Sequence, residues 1–351
     1  MKTVVFVGGG HAHLHCIRHA RKLLSSNVIL ISPDRYQYYS GMFSSYTEGI
    51  YSEEEIKIDL QDLCNRTNVT FLMGKVHKVD SNTKEILLSN GKRLSYDILS
   101  FDIGSIIPTL PNSLSIKPNY LFPSSIHKLR STKLPVIIGG GASGVELALS
   151  LAVWRKNNGY PNSVTIISKS KLLANMNPKA RQKLRHYLKD LVVMEDEEVE
   201  KVGNTTITTN AGRTIPYTSL LAVTGNSAPP IFEESSLPTK DGFLHVRETL
   251  QCVDNPHILG AGDCIHFSMN GLPKNGVFAV KQGPILLQNI TRLLNNKPLI
   301  AYRPQKRYLS ILSVGNRQAL LVYHSLVLKG RIPWLLKHYI DQSFMKNYQN
   351  N

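Results

Sequence analysis

An unbroken apolar run, Thr3-Val4-Val5-Phe6-Val7, passes into Gly8-Gly9-Gly10 near the start of the chain. A second run, Val136-Ile137-Ile138, passes into Gly139-Gly140-Gly141-Ala142-Ser143-Gly144-Val145-Glu146. Apolar residues that follow one another without alternation predict strands covered on both faces, as in a parallel sheet. Each run therefore predicts a buried strand, a tight glycine turn and a helix start. The first helix is expected over 11–24, with the next strand at Val28-Ile29-Leu30-Ile31. The second helix is expected from Gly144 to about Lys156, inside a strand-helix-strand unit over 134–167. Ser89-Asn90-Gly91-Lys92 and Asn210-Ala211-Gly212-Arg213 predict hairpin turns. Further buried strands are expected over 96–101 and in the stretch leading to Gly262-Asp263.

Proline-bearing stretches over 107–123 and 229–238 read as an outgoing and a returning linker between two domains. The acid run Glu195-Asp196-Glu197-Glu198 reads as an exposed loop. Beyond Tyr302 the pattern predicts strands over 308–314 and 318–328, joined by a turn at Gly315-Asn316, and then a helix over 333–348. Leu336, Ile340, Phe344 and Tyr348 recur at every fourth position and make one apolar stripe on that helix. Such a stripe ordinarily packs on its own protein, and Trp334 with the neighbouring basic residues also allows a membrane-surface or homodimer contact. The expected fold class is α/β: two Rossmann-like dinucleotide-binding domains, one inserted in the other, plus a small C-terminal α+β region. The expected boundaries are 1–115 with 240–300, then 116–239, then 301–351.

Composition adjusts this picture in three respects. The length of 351 residues suffices for two or three domains, and 42% hydrophobic with 19% charged residues is ordinary for a globular chain. The formal net charge of +16 favours anionic partners: nucleotides, phosphates or anionic lipid. No base-reading motif accompanies it, so nucleic acid is not an expected partner. Between Ala301 and Asn351 eight Lys or Arg face one acid, Asp341, which suits a membrane surface or an acidic partner. Strand one begins at the N-terminus and no apolar stretch is long enough to span a bilayer, so the expected location is cytoplasmic, with the inner face of a membrane as an option. The four cysteines, Cys16, Cys64, Cys252 and Cys264, form no close pair, which argues against disulfides, a zinc site and a redox dithiol.

The chemistry follows from the glycine turns. A turn of this kind aims backbone N–H groups and a helix dipole at a pyrophosphate. One turn serves one dinucleotide, so two turns point to electrons passing between two dinucleotides. The second fingerprint is complete, whereas the first carries His13 where a third glycine is expected to allow close helix–strand packing. The acid that ordinarily ends the second strand and binds a ribose hydroxyl is missing from both units. Ser32 and Ser168 stand there, the latter followed by Lys169 and Lys171. A cation at this point accommodates a 2′-phosphate, so NADH and NADPH both remain open. His11 and His15 share a helix face, but no carboxylate or cysteine completes a metal site, and no metal is expected.

The segment Thr249 to Asp263, ending in Gly260-Ala261-Gly262-Asp263, resembles the second FAD-binding motif of the two-dinucleotide flavoproteins, the pyridine nucleotide-disulfide oxidoreductase superfamily. The order of an FAD fingerprint, an NAD(P) fingerprint and then Gly-Asp is that of the superfamily. Within it the chain is most similar to the branch of type II NADH dehydrogenases and sulfide:quinone reductases, and above all to the flavoprotein domain sometimes fused ahead of selenide, water dikinase. The carrying residues are Gly8 to His13, Ser32-Pro33-Asp34-Arg35-Tyr36, Tyr39-Ser40-Gly41-Met42, Tyr96 to Ser100 with Ile103-Gly104, Gly276 to Pro284, and Lys337 to Met345. Two departures stand out. Of the glutamine-rich, quinone-facing motif of type II enzymes, Val277 and Lys281 occupy the glutamine positions and only Gln282 remains, and no cysteine matches the redox pair of sulfide:quinone reductases.

The resemblance implies an FAD-dependent NAD(P)H oxidoreductase that passes electrons to a second acceptor, with a quinone as one candidate. The alternative is an FAD- and NAD(P)H-binding sensor with little turnover. It implies FAD at Gly8, Gly9, Gly10, His11, Ala12, Ser32, Pro33, Arg35, Ser40, Val76, Gly104, Gly262, Asp263, Val277 and Phe278. It implies NADH or NADPH at Gly139, Gly141, Ala142, Ser143, Gly144, Ser168, Lys169 and Gly225. Glu146 is expected beside the nicotinamide or flavin edge, with Lys281, Gln282 and the helix start near Gly276 beside the reduced flavin.

Overall fold

A computed structural model describes residues 1–268 and 271–349. The four apolar residues of the first run, Val4 to Val7, are almost wholly buried, and they lie at the centre of a nine-stranded sheet. Lys2–Val7 pairs in parallel with Ser26–Ser32 on one side and Ile98–Phe101 on the other. Thr70–Met73 extends one edge, and Asn255–Gly260, arriving from the far end of the chain, extends the other. The second run, Pro135–Ile138, centres a separate five-stranded parallel sheet with Ser113–Leu114, Ser219–Ala222, Thr165–Ser168 and Val192–Glu195. The chain thus leaves the first sheet after Phe101, builds the second, and returns to the first at Thr239–Lys240. This is the α/β arrangement expected, with one dinucleotide-binding sheet inserted in the course of the other.

The two proline-bearing stretches are more than linkers. Ser113–Leu114 joins the edge of the second sheet, Ile107, Ile116 and Phe122 are buried, and Ile106 bridges Ser227, so the two crossings are hydrogen-bonded to each other. The acid run is not an exposed loop throughout. Glu195 ends a strand and accepts the Leu172 N–H at 2.6 Å. Glu197 is buried, accepting the Thr209 hydroxyl at 2.9 Å and facing Arg213 at 3.3 Å. Burial of that carboxylate is tolerable because it is paired.

The helix Ala142–Asn157 is apolar all round because both its faces are covered. One packs on its own sheet, the other on the helix Phe43–Glu48 and the C-terminal strand Ser310–Gly315. The first helix ends sooner than its pattern suggests: His11–Arg18 is α-helical and Ala20–Leu23 is a 3-10 turn. The helix Gly276–Leu294 lies against it, and at Gly283 there is no room for a side chain beside the His15 Cβ and the Ala12 backbone.

The C-terminal region forms three antiparallel strands, Ser310–Gly315, Gln318–Tyr323 and Leu326–Gly330, crossed by the helix Arg331–Met345. The expected strand over 318–328 is broken at His324, which takes a positive φ in a second turn. The predicted stripe packs only in its C-terminal half, where Phe344 stacks on Tyr39 and Tyr348 is buried. Trp334, Lys337, Asp341 and Met345 are buried, whereas Leu336 and Ile340 are 39% and 41% exposed. Lys337 and Asp341 satisfy each other at 2.7 Å, which lets a polar pair occupy the inner face and turns apolar residues outward.

Candidate functional site

The two glycine turns open onto one continuous cavity of about 2100 Å³. The first glycine of each takes a left-handed conformation, φ 90° at Gly8 and 127° at Gly139, which a side chain would strain. A Cβ at Gly8 would collide with the Asp102 carbonyl, and one at Gly139 with the Val223 carbonyl. Both turns therefore depend on close backbone approach to the neighbouring strand, leaving room for a ligand on the open side.

Of the positions expected to bind FAD, Gly8, Gly9, Gly10, His11, Ser32, Pro33, Ser40, Val76, Gly104, Asp263 and Val277 line the cavity. Gly139, Gly141, Ala142, Ser143, Gly144, Ser168, Lys169 and Gly225 line it around the second turn, and Glu146 and Lys281 line it as well. Five expected positions do not border the space. The Arg35 guanidinium is spent on Asp59 in a bidentate pair, Nη2 to Oδ2 at 2.6 Å and Nε to Oδ1 at 3.1 Å. Ala12 is buried in the helix, and Phe278 is buried against Tyr308. Gly262 packs over Asp102. Gln282 is buried, and its Oε1 accepts the Gly262 N–H at 2.7 Å. Gln282 thus braces the turn that presents Asp263, instead of facing the cavity.

Asp102, which the pattern of residues did not single out, closes the first unit from behind. Its Oδ2 accepts the N–H groups of Ala12 at 2.8 Å and His13 at 3.3 Å, so it takes up part of the helix N-terminus that a phosphate would otherwise meet. Burial, opposed by those two hydrogen bonds, pushes the Asp102 carboxyl up to about 7. His13 does not loosen the packing as expected from a side chain at a glycine position. Its ring lies edge-on to Phe6, with Nδ1 2.6 Å from the Gly8 carbonyl and Nε2 2.9 Å from Ser100 Oγ. Burial drives its pKa down to about 3, so it is a neutral bridge between turn and sheet. Metal ligation is not assembled here: among the described residues no three His, Cys, Asp or Glu side chains converge on one point.

Where the two crossings meet, Lys117 Nζ donates to Ser105 Oγ at 2.6 Å and Asn226 Oδ1 at 2.8 Å, and stands 3.4 Å from Asp263 Oδ2. Desolvation lowers its pKa and the Asp263 carboxylate raises it. The helix start at Gly276, capped by the Asn275 side chain, faces the same part of the cavity. Lys281 stands exposed at its rim.

Deeper in, Glu146 is half-buried on the cavity wall and accepts the Ser313 N–H at 2.7 Å. Desolvation raises its carboxyl pKa, and the charge of Lys337 acts the other way. Lys337 itself donates to Asp341 and to the Gly41 carbonyl. Beside this cluster Tyr39 stacks on Phe344 with ring centroids 4.3 Å apart, and His11 lies 5.5 Å and 5.4 Å from the two rings. Burial lowers the pKa of His11. One end of the cavity is therefore aromatic and carries buried proton-exchanging groups, while the other end, past the second glycine turn, opens to solvent at Lys169 and Glu198.

Comparison with known proteins places this geometry. The type II NADH:quinone oxidoreductase of Staphylococcus saprophyticus is 22% identical over 97% of this chain and 94% of its own. The structure of NDH2 from Plasmodium falciparum in complex with NADH superposes with a TM-score of 0.86 at 14% identity, covering 99% of this chain and 97% of that one. The sulfide:quinone oxidoreductase of Aquifex aeolicus superposes with a TM-score of 0.83 at 19% identity, over 99% and 91%. The family model of the pyridine nucleotide-disulphide oxidoreductases matches residues 2–283. With most of its length inside that match, and both glycine turns and the Gly-Asp turn on one cavity, the chain belongs to the pyridine nucleotide-disulphide oxidoreductase family.

Proposed function

We propose that the chain is an FAD-dependent NAD(P)H oxidoreductase of the type II NADH dehydrogenase kind, delivering electrons to a quinone-class acceptor. The observation that carries this reading is the single cavity shared by the two glycine turns, with Asp263 and Glu146 on its wall. FAD, when bound, supplies the two-electron chemistry, accepting a hydride from the reduced nicotinamide and giving the electrons up again. The left-handed Gly8 and the backbone of Gly9 and Gly10 fit the pyrophosphate of FAD, and Asp263 fits its ribityl chain. Gly139 to Gly144 hold the donor. The corresponding boundaries are 1–115 with 240–300 around FAD, 116–239 around NAD(P)H, and 301–351 closing the far end.

Within this frame each cavity-lining group has a task. The capped start of the helix at Gly276 presents N–H groups and a positive dipole end where negative charge accumulates on reduction. Lys117 pins Asp263 and both crossings in place. Glu146, Lys337 and Asp341 hold exchangeable protons beside Tyr39, which is backed by Phe344 and gives the cavity an aromatic wall suited to a quinone ring. Reduction by NADH or NADPH without oxygen should bleach the yellow protein, and a soluble ubiquinone or menaquinone analogue should restore the colour within seconds. Slow bleaching with every donor, or no reoxidation by a quinone, favours the sensor reading instead.

Membrane attachment is part of the same proposal. Ile332, Leu335 and Tyr339 are 79%, 56% and 70% exposed on the helix Arg331–Met345, continuing the exposed Leu336 and Ile340. Lys329 and Arg331 adjoin this face. An apolar strip beside cations suits an anionic lipid surface. No helix among the described residues is long and apolar enough to cross a membrane. Co-sedimentation with phosphatidylglycerol vesicles should fall at least about tenfold in the I332D/L335D double variant. A change in dimerisation with unaltered lipid binding would assign the face to a second copy.

A further inference from the structure

We propose that the outer end of the second nucleotide site selects a 2′-phosphorylated donor, NADPH over NADH, and that Lys169 is the residue that meets the phosphate. This rests on the reading of 116–239 as the NAD(P)H unit and goes beyond it by naming the donor.

A Rossmann unit that binds NAD places a carboxylate at the end of its second strand, where it accepts hydrogen bonds from the adenosine ribose and repels a phosphate. Here the strand Thr165–Ser168 ends in Ser168, which is buried. Its hydroxyl is turned inward: it packs over Gly140, where a Cβ would collide with it, and lies 3.4 Å from the Ser170 N–H. The nearby carboxylates that could substitute are committed elsewhere. Glu195 accepts the Leu172 N–H at 2.6 Å and stands 3.7 Å from Lys171. Asp196 pairs with Lys171, and Glu197 is held by Thr209 and Arg213. Those same pairs consume Lys171 and Arg213. Lys169 follows the strand end directly, lines the cavity, and has no acid within ion-pair distance among the described residues. Glu198 is the one uncommitted acid of this rim; it is exposed and follows Glu197, whose N–H donates to the Ser168 carbonyl at 3.0 Å. The strand end thus offers an unpaired ammonium where an NAD site offers a carboxylate, and a 2′-phosphate is the part of NADPH that would reach it.

The test uses fragments of the donor, so that it reads the adenosine end without redox turnover. Binding of 2′,5′-ADP and of 5′-ADP to the FAD-loaded protein is measured by calorimetry at low and moderate salt. The wild type should bind 2′,5′-ADP about tenfold more tightly, with the ratio shrinking as salt rises. K169A should bring the ratio close to one, and K169E should invert it. A residue acting only through the fold would weaken both probes alike. Equal affinity of the wild type for the two probes, or an unchanged ratio in K169A, overturns the proposal and leaves the dinucleotide site standing. Failure of both probes to bind the yellow protein overturns the proposal together with the assignment of 116–239 on which it rests.

Discussion

Replacing Gly144 with alanine should leave the protein yellow and abolish its reduction by NADH or NADPH. Gly144 is buried in the first turn of the helix Ala142–Asn157, and a Cβ there would overlap the carbonyl oxygen of Gly139. Both partners are backbone, so no rotamer change relieves the collision, and the helix must move away from the strand Pro135–Ile138. That movement withdraws the N–H groups of Ala142 and Ser143 from the pyrophosphate position and breaks the left-handed turn at Gly139. A loss of donor affinity of about 100-fold or more is expected. FAD content should hold, because its glycine turn belongs to the other sheet. The checks are the flavin spectrum, the melting temperature and an anaerobic donor titration; bleaching at wild-type donor concentrations would refute the assignment of this turn.

The second large effect concerns Lys337. Its side chain is 9% exposed and that of Asp341 5%, with 2.7 Å between them, and Glu146 lies within reach of the same charge. Lys337→Met removes the cation and strands the buried Asp341 carboxylate beside the half-buried Glu146, at a cost of about 3–5 kcal/mol near neutral pH. The pH dependence has a definite sign. Desolvation already raises the pKa values of Asp341 and Glu146 in the folded protein, and losing Lys337 raises them further. A carboxyl whose folded pKa exceeds its unfolded value binds protons preferentially in the native state. Its stability contribution is present in acid and is lost as pH rises through the folded pKa. The variant should therefore lose more stability than the wild type as pH climbs from about 4 to neutrality. Adding Asp341→Leu should recover much of the loss by removing one unpaired charge. Thermal melts at pH 5 and pH 7.5 check both statements; an equal loss at the two pH values would mean the ion pair is not what Lys337 contributes.

What the sequence disclosed and what it withheld have separate physical causes. Buried parallel strands and glycine turns are written in contiguous residues, so Val4 to Gly10 and Val136 to Gly144 were readable as nucleotide cradles without any tertiary information. The groups that act across the cavity were not. Asp102 meets Ala12, Lys117 meets Asn226, and Lys337 meets Gly41, pairs that stand 90, 109 and 296 residues apart in sequence and meet only in the folded chain. Gln282 matches a position of a family motif, yet its side chain is buried and its Oε1 accepts the Gly262 N–H. His13 looked like a defect because a periodic pattern does not reveal that Ser100 and the Gly8 carbonyl stand ready to accept the ring. On the last helix both faces carry apolar residues, so periodicity alone could not say which one packs, and the Lys337–Asp341 pair decided it.

The proposed function requires FAD and NAD(P)H to bind in the one cavity that the two glycine turns share. The most direct measurement is anaerobic stopped-flow bleaching at 450 nm with NADPH or NADH deuterated at either C4 position. Bleaching should be rapid and should slow for one of the two stereospecific labels, because the C4–H bond is broken within the cavity. Protein that carries FAD but bleaches with neither donor, or protein that cannot be loaded with FAD at all, would contradict it.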